Sequence, residues 1–518
     1  MAYRFLPLAL LLLALIPAVA AQSLPDIERA AADAGADAVT ARALAQAATA
    51  ALGEDQRLTV SGQTFGNYGT SVSLDGARAL VGALGESTEG AASGAGAVYV
   101  LELISGTWTQ TARLTASDAA SLDNFGWSVS LDGERALIGA VSDAHGGGVG
   151  AGSAYVFDLS GGVWNETQKL IASDADDGDE FGASVSLDGT RALIGAWRAD
   201  VGGASSGGAA YVFDLAGGTW SQTQKLTASD ADDGDQFGGS VSLGGERVLI
   251  GAGFDTHSGL TEAGSAYVFD LSGGTWSQTQ KLTASDADDG DQFGSSVSLG
   301  GNRVLVGADH DSHSGLTEAG SAYVFDLSGG TWSQTQKLTS GDAATSDRFG
   351  HSVSLDGSRA LIGANLDDHS GSSGAGSAYV FDLSGGVWSE TQKLTANDAG
   401  FGDTFGASVS LDGERAFIGA PGDEHSGLFL AGSAYVFDVS GALWSETQKT
   451  TAVSAEDSDS FGTSVAMDGN RAIVGAFLRN HSGLVSAGAA HIFEFVSGAW
   501  VQTAELIASD AQTSDGLG

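Results

Sequence analysis

The stretch FGASVSLDGTRALIGA, from Phe181 to Ala196, returns along this chain at a fixed interval, and that interval limits the possible folds more than any other feature. An aromatic-glycine pair opens each copy, at Tyr68, Phe125, Phe181, Phe237, Phe293, Phe349, Phe405 and Phe461; from Phe125 onward the step is always 56 residues. The tryptophans Trp108, Trp164, Trp220, Trp276, Trp332, Trp388, Trp444 and Trp500 keep the same 56-residue step. Self-similarity at a fixed period marks a repeat architecture, in which one supersecondary unit is stacked many times.

Within a unit the punctuation is regular. SVSL reads as a short strand, Asp188-Gly189 as a tight hairpin turn and RALIGA as the return strand. A variable loop follows, then SAYVFDL, the turn Ser160-Gly161-Gly162, and WNETQKLIAS as a fourth strand. There is no helical periodicity and no proline inside a strand, so the units predict four antiparallel strands each. The third strand is apolar on both faces (Tyr155 and Phe157 one way, Ala154 and Val156 the other), as in a sheet packed between two sheets. The fold class expected is all-β: a β-propeller of four-stranded antiparallel blades. Eight repeats predict eight blades, with seven as the alternative. Gln56–Val60 and Val501–Ala508 could both serve as a fourth strand, so one is expected to be left over; the first could add to the first blade.

Charge is lopsided, with 22 Lys and Arg against 64 Asp and Glu, a formal net charge of −42. Such a surface repels nucleic acid and anionic membrane. The cations are themselves periodic. Arg78, Arg135, Arg191, Arg247, Arg303, Arg359, Arg415 and Arg471 follow the first turn, and Lys169, Lys225, Lys281, Lys337, Lys393 and Lys449 share a slot in the fourth strand. Repetition of this kind predicts a structural task, such as pairing with a neighbouring blade. With no cysteine in the chain, disulfides, thiolate metal sites and a Cys nucleophile are excluded.

Residues 1–21 read as a secretory signal: Arg4 supplies the positive start, Phe5 to Ile16 is apolar, and Ala18-Val19-Ala20 fits a cleavage site. An alanine-rich leader, residues 22–53, reads as a short α-helical segment that acts either as a cap or as a mobile leader. The propeller is expected over 54–518, in a secreted or cell-surface protein with no membrane insertion.

FG at the head of the unit, GA or GAP after the second strand (Gly419-Ala420-Pro421 has all three) and GSAYVF in the third resemble the FG-GAP repeat of integrin α-subunits and secreted bacterial proteins. The resemblance covers roughly Glu54 to the end. It implies an extracellular β-propeller used for adhesion or ligand binding, without catalysis. Integrin-type repeats often carry a DxDxDG calcium loop between the first two strands; here that connection is only Asp132-Gly133 or Gly244-Gly245, so the family's calcium site has no room, and no RGD occurs.

Antiparallel order places both tight turns at one end of each blade, and the variable loop and acidic linker at the other, where loops on a rigid scaffold carry function. Two features decorate that loop-rich face. Asp-x-His recurs at Asp143/His145, Asp255/His257, Asp311/His313, Asp367/His369 and Asp423/His425; two ligands per loop are too few for zinc, and a turn held by Asp and Ser side chains is the expectation. The DADDGD linkers place Asp174, Asp176, Asp177 and Asp179, then Asp230, Asp232, Asp233 and Asp235, then Asp286, Asp288, Asp289 and Asp291 close together. They are either Ca²⁺ ligands or solvated acidic turns. The last Asp of each linker, from Asp123 to Asp459, keeps its distance from Phe-Gly and predicts a turn or cap. Trp127, Trp197, Arg198, His351 and Arg479 break the repeat with no shared chemistry evident. The expected function is non-catalytic binding or adhesion to an extracellular protein or glycan; the alternative is a polysaccharide hydrolase or lyase.

Overall fold

The two hairpin turns shape every sheet. Asp188 pairs with Arg191 across the central residues Gly189-Thr190, one place later than the Asp-Gly turn expected, so the aspartate closes the strand instead of bending it. Of the two central residues only Gly189 has positive φ (60°), the pattern of a type II′ turn. At the second turn Gly161 and Gly162 have φ of 61° and 80°, as type I′ requires. Both types match the right-handed twist of the strands they join.

The computed structural model describes residues 57–60, 68–84, 94–104, 107–145, 149–441, 443–452, 455–476, 478, 488–496 and 498–508. The signal and leader expected at 1–21 and 22–53 lie outside the described residues, as does Arg479. Among the described residues there is no helix, and eight antiparallel sheets stand in sequence as the blades of a propeller. Blade one comprises Tyr68–Asp75, Arg78–Ala83, Ala97–Ile104 and Thr107–Leu114; blade eight comprises Phe461–Asp468, Arg471–Ala476, Ala489–Val496 and Ala499–Ala508. First strands of successive blades pack together and are innermost, whereas fourth strands barely meet.

The ring closes between blades eight and one. Asp468 accepts the Gly76 N–H at 2.7 Å, and Arg471 Nη1 donates to Gly76 O at 2.9 Å. Arg57–Val60 is the strand left over: it lies outside Ala499–Ala508 as a fifth strand of blade eight and does not add to blade one. Thr107–Leu114 already holds the fourth place in blade one.

The core lies between blades, not within one. Leu193 and Val212 of blade three meet Phe237, Ile250, Tyr267 and Trp276 of blade four in one buried cluster. The periodic tryptophans are all buried, Trp164 being the most exposed at 7%. The FG and GA glycines mark where neighbouring blades touch: a Cβ on Gly139 would lie 2.1 Å from Gly182 O of the next blade. Gly182 itself has φ of +95° and faces Ser153 O, so a side chain is excluded there too. The SVSL serines lace the inner strands, Ser128 Oγ donating to Gly182 O (2.8 Å) and Ser130 Oγ accepting from Leu187 N (3.1 Å). At the outer edge the Gln224 amide bonds both the N–H (2.8 Å) and the carbonyl (2.6 Å) of Trp276, which blunts an open strand edge.

Candidate functional site

At the tight-turn end the periodic arginines join blade to blade, the task predicted for them. Arg191 pairs with Asp214 of its own blade at 2.7 Å, donates to Gly245 O of the next at 2.9 Å, and stacks over Trp276 of that blade 5.1 Å from the ring centroid. Stacking of a planar guanidinium that is also hydrogen-bonded is a role lysine could not fill.

At the loop-rich end the lysines tie their own blade to its long loop and to the linker that enters it. Lys281 lies 2.7 Å from Asp230 of the linker and 2.8 Å from Asp255 of the long loop. Asp255 is buried; Ser265 Oγ donates to it at 2.6 Å, and the Tyr267 hydroxyl sits 2.9 Å away. The aspartate of Asp-x-His is thus an internal counter-ion. The small turn beyond it is closed by the backbone: His257 and Leu260 exchange hydrogen bonds, and in blade three Val201 and Ala204 form the same bridge without any histidine. His145 and His369 Nε2 lie 3.0 and 3.1 Å from the carbonyls of Gly152 and Gly376. The Asp of the expected Asp-and-Ser turn thus binds strand residues of its blade, and the turn itself is closed by backbone hydrogen bonds.

The members of each linker quartet are drawn to different partners. Asp174, Asp230 and Asp286 take the lysine and tyrosine of the following blade; burial opposes their charged form, yet those partners hold each below the usual carboxylate range. Asp177, Asp233 and Asp289 accept backbone N–H groups of the preceding long loop, from Val149, Ser205 and Thr261, at 2.9, 2.8 and 2.7 Å. Asp179, Asp235 and Asp291 are buried and accept the N–H of Asp176, Asp232 and Asp288 within their own turn, which is the cap role expected of the last linker Asp. The side chains of Asp176, Asp232 and Asp288 are exposed. A calcium cradle asks for six to eight oxygens around one point. Among the described residues no group of three or more His, Asp or Glu is arranged to hold a metal, and the quartets as placed do not fit one. Burial pushes Asp235 up to about 6 and Asp291 to about 7, against the turn N–H and with added repulsion from Asp255 and Asp311.

One cluster breaks the symmetry. Asp309, buried just after the second strand of blade five, accepts from Ser295 Oγ at 3.1 Å and lies 3.2 Å from Nδ1 of both His310 and His351. Arg348 Nη1 is 4.0 Å away, and Arg348 Nη2 pairs with Glu318 at 2.9 Å. Burial works against the Asp309 charge, but the two imidazoles hold its carboxyl below the ordinary range. His351, one of the sequence oddities, therefore does have partners, contributed by the neighbouring blade. Trp197 and Arg198 stack on each other at 4.6 Å, and Trp127 is exposed at 44%.

The FG-GAP repeat family matches the chain at residues 108–157, 164–213, 220–269, 276–325, 332–381, 388–437 and 444–493, and the chain belongs to that family. Each match runs from a fourth-strand tryptophan into the third strand of the following blade. Seven matched units and eight blades are therefore consistent: three inner strands precede the first match and one outer strand follows the last. The protein is an FG-GAP β-propeller, a class of binding or scaffold module. No curated protein matches the chain. Among the described residues no helix is long and apolar enough to cross a membrane.

Proposed function

We propose that the chain is a secreted or cell-surface module that binds an extracellular protein or glycan through its loop-rich face, without catalysis. The observation that carries this reading is the placement of exposed aromatics. Trp127 (44%), Phe401 (80%) and Phe429 (57%) all project from the loop-rich end, where nothing in the fold requires them. Exposed aromatics supply contact area at low entropic cost. The signal-like residues 1–21 support export. A glycan and cell-surface binding screen with Phe401→Ala and Phe429→Ala tests the reading: binding by the parent and loss in the folded variants is expected, and unchanged binding refutes it.

One observation favours the second reading, a polysaccharide hydrolase or lyase. Asp309 orients the Nδ1 edge of His351, whose side chain is 40% exposed, an arrangement suited to a general base at Nε2. Turnover in the same screen that disappears in His351→Ala would establish this reading over the first.

A further inference from the structure

The tight-turn face, which the loop-face reading leaves without a role, interrupts its own pattern in one sector. In six blades the aspartate ending the first strand accepts the turn-glycine N–H of the next blade: Asp75 from Gly133 (2.6 Å), Asp132 from Gly189, Asp188 from Gly245 (2.7 Å), and likewise Asp356, Asp412 and Asp468. Blades four and five carry Gly244 and Gly300 instead. The N–H groups of Gly301 and Gly357 consequently have no acceptor among the described residues, while their carbonyls still take Arg247 Nη1 (2.9 Å) and Arg303 Nη1 (3.1 Å).

Two adjoining cavities open in this sector. One, about 350 Å³, is bounded by Gly244, Arg247, Gly301 and Asn302; the other, about 360 Å³, by Gly300, Asn302, Arg303 and Asp326. In the other blades an aspartate stands at this place, as Asp188 does on Gly245 N–H beside the Arg191 guanidinium; here Arg247 and Arg303 keep their partners Asp270 and Asp326 but have no such aspartate beside them. There is room for one: a Cβ on Gly244 would come no nearer than 3.5 Å to Leu299, and one on Gly300 would be 3.1 Å from a Leu355 methyl, which can turn aside. Asn302 stands where Glu134, Glu246 and Glu414 stand in other turns, so the second cavity lacks the acid that Glu246 brings to the first.

We propose that the turns of blades four to six form a tandem carboxylate site that takes two successive uronate groups of a polyuronate chain. Two like positions on adjacent blades, sharing Asn302, call for a ligand that repeats its carboxylate. Gly301 and Gly357 N–H and the two guanidinium groups would receive the carboxylates, and the Asn302 amide and the Asp270 and Asp326 oxygens would meet hydroxyls. The protein's charge of −42 opposes any polyanion at long range. At about 0.15 M salt that repulsion reaches only about 8 Å, while the contacts themselves are closer.

The test is calorimetric titration of the full chain, at that salt concentration, with tetragalacturonate, its methyl ester and tetra-aspartate. Gly244→Asp and Gly300→Asp restore the internal carboxylate that six blades already carry, so these variants fold. The parent is expected to bind the uronate and not the ester. Gly300→Asp should weaken binding by about tenfold or more, and Gly244→Asp by less because Glu246 already handicaps that cavity. Phe401→Ala should bind as the parent does, which keeps this site distinct from the loop face. No binding by the parent, equal binding of the ester, or unchanged binding by both glycine variants overturns the proposal. Preference for tetra-aspartate overturns its uronate assignment.

Discussion

The two ends of a blade carry the same kind of ion pair in opposite settings. At the loop-rich end Lys281 meets Asp255, whose side chain is 1% exposed; at the turn end Arg247 meets Asp270, which is 28% exposed. The buried pair ties a loop to its own blade. The exposed pair belongs to a guanidinium that also bonds and stacks on the next blade. The arginines thus lace the ring at the turn end; at the loop-rich end the blades meet through the fixed FG and GA backbone contacts, and the long loops beyond those can vary without opening the ring. Blade three shows this freedom: Ala199 replaces the buried aspartate, yet Val201 and Ala204 keep the loop's bridge.

The largest expected effect strikes the turn-end lacing. Trp276→Ala removes a buried indole, the platform for Arg191 and part of the seam between blades three and four. It should cost about 3–5 kcal/mol in urea unfolding. Unfolding at the parent's urea midpoint would show that the seam is not held there.

The contrast between the pairs is tested directly by removing one carboxylate from each. Asp255→Ala leaves Lys281 with Asp230 alone and takes a buried acceptor from Ser265 and Tyr267, and should cost about 3 kcal/mol, since buried donors left unpaired bear their full desolvation cost. Asp270→Ala removes a solvent-screened partner from an arginine that keeps its other contacts, and should cost about 1 kcal/mol or less. Equal losses in thermal unfolding would erase the distinction between the two ends.

How much of this was legible in the sequence depended on phase. The repeat places Trp276, Arg191 and Lys281 in fixed columns, and a column with a single residue type announces a shared task. Strand order, blade number and the burial of the tryptophans followed from that. The one-residue shift at Asp188 was not legible, because Asp-Gly is itself a favoured turn and only pairing with Arg191 reveals the register. The Asp309 cluster was harder still. Asp309, His310, Arg348 and His351 each occur once in their columns, and Asp309 and His351 are 42 residues apart. The usable signal was indirect: the exit of one blade's second strand faces the head of the next blade, so odd residues in those two columns should have been read together.

Acid chemistry provides a smaller effect that belongs to the loop end. Asp235 and Asp291, raised to about 6 and about 7, bind a proton more tightly folded than unfolded. The native chain therefore holds more protons than the unfolded one between about pH 4 and pH 7, and stability should fall as pH rises through that window. The depressed Asp174, Asp230 and Asp286 act in the other direction: they add stability above the ordinary carboxylate range and lose it as pH falls below it. The two sets together place the optimum near about pH 4, where the rise from the depressed group ends and the decline from the raised group begins. Asp291→Asn should flatten the decline toward neutrality, measured as melting temperature against pH. A decline as steep as the parent's would place its origin elsewhere.

The smallest effect returns to the turn end, where one substitution can be made in both directions. Asp132→Gly withdraws the acceptor of Gly189 N–H, and Gly300→Asp supplies one for Gly357 N–H. Both turns are exposed, so the bond itself is worth only about 1 kcal/mol. The backbone term has the same sign, because glycine leaves the unfolded chain freer than aspartate does. Asp132→Gly should therefore lower stability and Gly300→Asp raise it, each by about 1 kcal/mol. Equal and opposite shifts would show that each inner turn is an independent clasp, so that the ring tolerates two glycine blades at little cost. A loss from Asp132→Gly with no gain from Gly300→Asp would mean that blades four to six have settled into a geometry of their own, in which the restored carboxylate no longer reaches its N–H.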